Sequence, residues 1–341
     1  MGRTAKDTWK TYLHTDPTSW LLGEDNPSVR YLTLTDICGR PQIHPEVKAA
    51  KKQIMEKGVV PKILIKQDPE GFWVNAESFY VRTKYKGTVW QLIILAELLA
   101  DTNDPRLQKA CDFILEWSQD RRSGGFAHRG TAQNGGHHSA VIPCLTGNMV
   151  WSLIRLGRLQ DPGVQAGIDW ITTYQRCDDG IAEPPKGWPY EKFEMCWGRH
   201  TCHLGVVKGL KALAEIPASQ RDRKVKDFIE TGTEYLLQHH LFKRSHDLKK
   251  VAKPKWKRFG FPHMWDTDAL EMADILLQLG CRDPRMLETI DLIVSKQDDD
   301  GRWLMEETWN GRFQVNIEHK GRPSKWVTWL ALRVLKGYYG S

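Results

Sequence analysis

The chain has 341 residues, with 49 Lys and Arg against 42 Asp and Glu, and a formal net charge of +7. Hydrophobic content of 40% with 27% charge excludes a disordered polymer, and no stretch approaches the ~18 apolar residues that a membrane span needs. Residues 243–258 hold eight basic residues and one acid, a surplus equal to that of the whole chain; basic charge confined to one Pro-containing loop predicts a solvated loop or a gate over an anionic substrate, and no nucleic acid.

Residues 3–13 read as a polar helix and 27–38 as an apolar one. His44-Pro45 then opens a polar helix, because Pro is favoured at the first helical position behind a capping side chain. A turn follows at Gln67…Gly71-Phe72-Trp73, and an apolar helix at 86–100. The same succession recurs. Asp104-Pro105, Gln119…Gly125-Phe126 and 144–157 form one copy, and Asp161-Pro162, Gln175…Gly180-Ile181 and 201–214 the next. Residues 219–222 mark a degenerate start before the helical run 225–237, and 267–279 is its apolar helix. Asp283-Pro284, Gln297…Gly301-Arg302-Trp303 and 324–336 make the last copy. The Pro-marked starts lie 60, 57 and 122 residues apart, the last interval being about twice the others.

Polar helices suit an outer ring and apolar helices an inner one. The expected fold is therefore all-α, an α6/α6 toroid of helical hairpins joined by Gln-x(n)-Gly-x-Trp-type turns, filling residues 1–341 as one domain. These turns resemble the repeats of squalene and oxidosqualene cyclases and, more loosely, of protein prenyltransferase β-subunits. The resemblance runs from about Asn26 to Leu335 and is narrower still to microbial single-toroid proteins of cyclase-like or prenyltransferase-like type. It implies an enzyme acting on an apolar, isoprenoid-like small molecule, with an anionic head as a further option.

Parallel inner helices share one mouth at their amino termini, where unpaired N–H groups favour anions or thiolates. Cys144, Cys196, His200, Cys202 and His203 are all expected at that rim, and three thiols with two imidazoles in a reducing compartment are what zinc selects. An odd count of 7 Cys and no apolar leader core favour such a compartment, the cytoplasm. The other four cysteines read as packing residues. Cys144 followed by His200-Thr201-Cys202 is similar to the zinc ligands of prenyltransferase β-subunits, although Ile142 stands where that family has Asp. Cys202-His203-Leu204-Gly205 instead resembles the Cys-His-Gly element of lanthionine-forming cyclases, interrupted by Leu204. Closed by Cys144, Cys196, His200 and Cys202, the site would be structural; with three ligands it would keep a position open for a thiol or a water. Two buried thiols beside an unrelated histidine pair explain the same residues without metal.

Asp266-Thr267-Asp268 resembles the D-x-D-D acid of class II terpenoid cyclases, which implies alkene protonation, with Ala269 replacing the last Asp. Either carboxylate reads equally as the cap of the helix that follows. Trp197 and Trp265 are candidate pocket walls, and Tyr85 and Lys325 candidate anion partners at the mouth. Phosphate-loop, dinucleotide, H-E-x-x-H and G-x-S-x-G motifs are missing from the sequence. The leading expectation is a zinc-bearing toroid enzyme, a transferase or cyclase. The alternatives are a proton-initiated cyclase using Asp266 or Asp268, and a non-catalytic lipid- or peptide-binding toroid with structural zinc.

Overall fold

The computed structural model describes residues 5–80, 84–181, 183–191 and 193–340. Eleven helices carry the architecture: α1 (Pro27–Leu32), α2 (Pro45–Glu56), α3 (Thr88–Glu97), α4 (Pro105–Ser118), α5 (Pro143–Arg155), α6 (Pro162–Tyr174), α7 (His203–Ala214), α8 (Arg223–Gln238), α9 (Ala269–Gln278), α10 (Leu287–Val294) and α11 (Lys325–Tyr339). Odd-numbered helices form the inner ring: each packs on the next, α3 on α5, α5 on α7, α7 on α9, α9 on α11, and α11 on α1. The Ser28 hydroxyl, donating to the Leu98 carbonyl at 2.7 Å, joins α1 to the end of α3. Even-numbered helices, with a 3₁₀ helix at Ala5–Tyr12, form the outer ring, so the expected α6/α6 toroid is the observed one.

Local chemistry explains the helix starts. His44, Asp104, Asp161, Asp222 and Asp283 each accept a backbone N–H of the following turn, including the degenerate start at Asp222. The first inner helix departs from regular form, continuing from α1 into a π-helical turn at Thr33–Ile37. Outer helix α2 is interrupted at Gly58, after which Val59–Leu64 forms a separate short helix.

In three of the four turns the Gln binds one repeat to the next, whereas Gln175 donates to the adjacent Arg176 carbonyl at 2.7 Å. Gln67 donates to the Arg106 carbonyl at 2.8 Å, Gln119 to Gly163 at 2.5 Å, and Gln297 to Tyr12 at 2.8 Å. Each acceptor lies at the next outer element, so the last bond closes the ring. A Cβ on Gly71 would approach the Lys109 carbonyl oxygen to 2.7 Å, and one on Gly124 the Ala166 oxygen to 2.6 Å. The turn aromatics are pinned inward: the backbone N–H groups of Trp73, Phe126 and Trp303 donate to the hydroxyls of Thr88, Thr146 and Thr328 on the inner helices. Stacking of Tyr12 on Tyr339, centroids 3.8 Å apart, seals the seam between the chain ends. No helix among the described residues is long and apolar enough to cross a membrane.

Candidate active site

The basic segment folds into a hairpin, Lys243–Arg244 with Asp247–Val251, and then crosses the mouth of the ring. Phe261 stacks on Trp326 at 4.1 Å, the Asn148 amide donates to the Met264 carbonyl at 3.0 Å, and the Trp265 indole donates to the Tyr85 hydroxyl at 3.0 Å. Tyr85 stacks in turn on Trp309 at 4.5 Å. Residues 259–266 thus plug the amino-terminal mouth that the sequence marked as the site.

Cavities lie on both sides of the plug. The mouth pocket is lined by Lys255, Arg258, Asp266, Asp268, Glu307 and Trp309. Its cations are paired, Lys255 with Asp266 at 2.7 Å and Arg258 with Glu307 at 2.9 Å. The second pocket is axial and opens to solvent at one end. Its walls come from the last turns of α3, α5 and α7 and from α9 and α11. Leu32, Ile275, Val327 and Leu330 give it an aliphatic side, and His263, Glu271 and Asp274 a titratable one. His263 borders both pockets.

A buried charge network holds that titratable side. Lys208, fully buried on α7, pairs with Glu271 at 2.8 Å, and Lys211 reaches both Glu271 at 2.9 Å and Glu97 at 2.6 Å. Close approach of α5 makes this seam tight, since a Cβ on Gly147 would come within 2.6 Å of the Lys208 backbone. His263 places Nε2 2.8 Å from Asp268 Oδ2 and Nδ1 3.6 Å from Glu271 Oε1. Burial alone would lower the His263 pKa, but the Asp268 and Glu271 carboxylates outweigh it and the pKa rises. Burial would raise the Glu271 pKa, yet His263, Lys208 and Lys211 drive it well below the ordinary range. Asp274 goes the other way: burial raises its pKa despite the partnered Arg333 guanidinium. Two aromatic faces of the cavity are already covered by cations, Trp151 by Lys211 at 4.0 Å and Trp329 by Arg333 at 4.4 Å.

Asp268 caps α9 through the Glu271 N–H at 2.8 Å and also accepts the Gly260 N–H at 3.0 Å. Asp266 accepts from Lys255, from the Trp256 indole at 3.4 Å and from the Thr267 N–H at 3.0 Å. Neither carboxylate lines the axial cavity.

Three of the five expected metal ligands come together. The Cys196 thiol donates to the Cys202 sulfur, and Cys144 lies close enough to both to feel their charge. That bond is the main cause of a lowered Cys202 pKa, helped by backbone N–H groups of Leu204 and Gly205 at the start of α7, while burial raises Cys144. The two histidines stand apart. His200 is exposed with Nδ1 3.1 Å from Asp179, and His203 faces the Met272 sulfur at 3.3 Å, its pKa lowered by burial to about 3. Among the described residues no group of three or more His, Cys, Asp or Glu side chains is arranged to hold a metal ion. Trp197 lies in the core against Trp170, at 5.9 Å, rather than on a pocket wall. Lys325 is buried beneath Trp20 and pairs with Asp25, away from both pockets. Tyr85 and Trp265 do reach the mouth, bonded to each other as described.

His263, Glu271, Lys208 and Lys211 carry the site without having stood out in the sequence. One signal was available: charges spaced i, i+3 on otherwise apolar inner helices, Lys208 with Lys211 and Glu271 with Asp274, each pair on one helix face.

The fold and the buried charge cluster together define an α/α toroid with an internal polar site. No protein-family model matches the chain, and no curated protein sequence does. Among solved structures, the chain is similar to an unsaturated glucuronyl hydrolase specific for heparin at 12% identity and a TM-score of 0.48, covering 95% of this chain and 86% of that one. It is similar to the type II terpene cyclase MstE from Scytonema at 15% identity and a TM-score of 0.41, covering 92% and 87%. A protein from Actinoplanes aligns at 10% identity and a TM-score of 0.30, covering 84% and 98%. The toroid assignment rests on the chain's own ring of helices.

Proposed function

We propose that this protein is an enzyme whose axial cavity performs acid–base chemistry on an amphipathic, isoprenoid-like substrate, with His263 as the proton-transferring group. The observation that carries this reading is the cavity itself, in which an aliphatic wall faces His263 and Glu271. Leu32, Ile275, Val327 and Leu330 would pack the apolar body. Glu271 and Asp274 would stabilise positive charge developing at the reacting carbon, in a site shielded from water. Asp268 becomes a positioning residue, fixing the His263 ring through Nε2, in place of the alkene-protonating acid expected from the sequence. Incubation with a panel of isoprenoids, analysed by mass spectrometry, tests the reading. His263→Gln and the cavity-filling Ala214→Trp should each lower turnover at least 100-fold. Ligand retained by the wild-type protein without any product would identify a carrier and end the enzymatic reading.

A second reading is favoured by the meeting of three thiols. Cys144, Cys196 and Cys202 supply the soft donors that zinc takes, with His200 or His203 as the fourth. As placed, these side chains do not form a metal site, so no chemical step is assigned to zinc. Elemental analysis of protein prepared without chelator separates the readings. One zinc per chain, lost in Cys144→Ser, supports the metal; a metal-free protein dismisses it.

A further inference from the structure

One proton donor in the axial cavity is uncommitted, and it narrows the substrate. His263 Nε2 lies within hydrogen-bond distance of Asp268, at 2.8 Å. Nδ1 stands 3.6 Å from Glu271, beyond that distance, and has no other hydrogen-bond partner among the described residues. Asp268 and Glu271 of α9 face the ring with Lys208 of α7 behind Glu271, and Lys211 on α7 and Glu97 at the end of α3 extend the network beyond it. Two carboxylates, one toward each nitrogen, favour the imidazolium form of the ring, in which Nδ1 would present a proton beside the cavity. An imidazolium is a mild acid. It can assist a departing oxygen, whose basicity rises as its bond to carbon breaks, but not an isolated carbon–carbon double bond, which is far too weak a base.

We infer that the site acts on an isoprenoid whose reacting carbon carries oxygen, an allylic or tertiary ester or ether, and not on a hydrocarbon polyene. This rests on the reading that the axial cavity is the active site. The C–O bond breaks with its electron pair on oxygen, and that oxygen takes the Nδ1 proton and departs as an acid or alcohol. The carbon left behind is an allylic or tertiary cation, faced by the Glu271 carboxylate. A hydrogen on the neighbouring carbon then passes as a proton to the neutral Nδ1, its bonding pair forming the new double bond. The imidazolium is restored, and an alkene and one hydroxyl compound are released.

Histidine-selective ¹⁵N spectra of the full chain at pH 7.5, assigned with His263→Gln, test the first half without substrate. His263 should show two protonated nitrogens, and Asp268→Asn, which keeps a capping side chain, should return the ring to its neutral form. Geranylgeranyl acetate and squalene are then compared as probes. The ester should shift the Nδ1 signal and yield a hydrocarbon with one more double bond and acetic acid in equal amounts, at least 100-fold slower in His263→Gln. Squalene should do neither. A neutral His263 at pH 7.5, or squalene consumed as readily as the ester, overturns the inference while the proposed function stands. Silence from both probes overturns the two together.

Discussion

Gly301→Ala probes the closure of the ring. Gly301 has φ +69°, where an alanine costs about 1–2 kcal/mol. The more serious cost is spatial, because a Cβ there would fall inside the Thr15 carbonyl oxygen and only 2.9 Å from its carbon. Residues 12–15 would have to move away, and three bonds depend on their position. These are Gln297 to the Tyr12 carbonyl at 2.8 Å, the His14 N–H to Gln297 at 3.1 Å, and the Thr15 hydroxyl to the Asp299 carbonyl at 3.0 Å. At about 1 kcal/mol each, their loss brings the expected destabilisation to about 4–5 kcal/mol. Gly311→Ala is the control, with φ +82° and no atom within 4 Å of the new Cβ, and should cost only about 1–2 kcal/mol. Guanidinium unfolding of the two variants should therefore separate them by about 3 kcal/mol. Equal losses would mean that left-handed strain is the whole effect, and that the seam between Gln297 and residues 12–15 holds nothing together.

Three further predictions concern the charged interior. Asp268→Asn keeps the α9 cap but loses the buried pairing with His263 and one of the acceptor oxygens, and should cost about 1–3 kcal/mol at pH 8 while lowering the His263 pKa in an NMR titration. Lys208→Met strands part of the buried Glu271 charge and should cost about 3 kcal/mol by denaturant unfolding, the low end for a broken buried pair because Lys211 still holds Glu271. The folded His263 pKa lies above the unfolded value of about 6.5, so its stabilising contribution is complete below that pH and lost as pH climbs through the folded pKa. Unfolding free energy measured from pH 6 to 9 should fall more steeply in wild type than in His263→Gln, and parallel slopes would refute the paired imidazolium.

Helix starts were legible in the sequence because their chemistry is local: an acid or His, followed by Pro in four of the five, satisfies the first turn from within a few residues, and all five starts are capped. Inner helices were legible because burial on every side leaves an apolar run, as in α3, where all but the last residue is buried. The turn Gln could be read as a repeated letter but not as a bond, because its acceptor lies some 40 residues on, at the next outer helix. The site was less legible for a related reason. Residues 259–266 carry no helical or strand period, so nothing local announced that they enter the ring. Cys202 and His203 are neighbours in sequence, yet one thiol meets Cys196 beneath the start of α7 while the adjacent ring turns to Met272 on α9. Adjacency placed them at the same rim and could not orient them toward a common centre.

The remaining question is why the ring tolerates Lys208, Glu271 and Asp274 on helices whose neighbours are apolar. Removing such charges from water is costly even when they are paired, and well-packed hydrophobic substitutes would often be at least as stable. The charges are not spread over the inner ring. Apart from Lys325, which pairs with Asp25 at the start of α11, they gather where α7 meets α9 and Glu97 at the end of α3, and where Asp274 meets Arg333 of α11, which are walls of the axial cavity. Stability alone gives no reason for that asymmetry. The proposed acid–base role offers one: Asp268 and Glu271 supply negative charge beside His263, and Lys208 and Lys211 keep Glu271 ionised so that the charge persists when water is excluded. On the proposed reading, burial that costs the fold stability favours the protonated form of the group assigned to proton transfer.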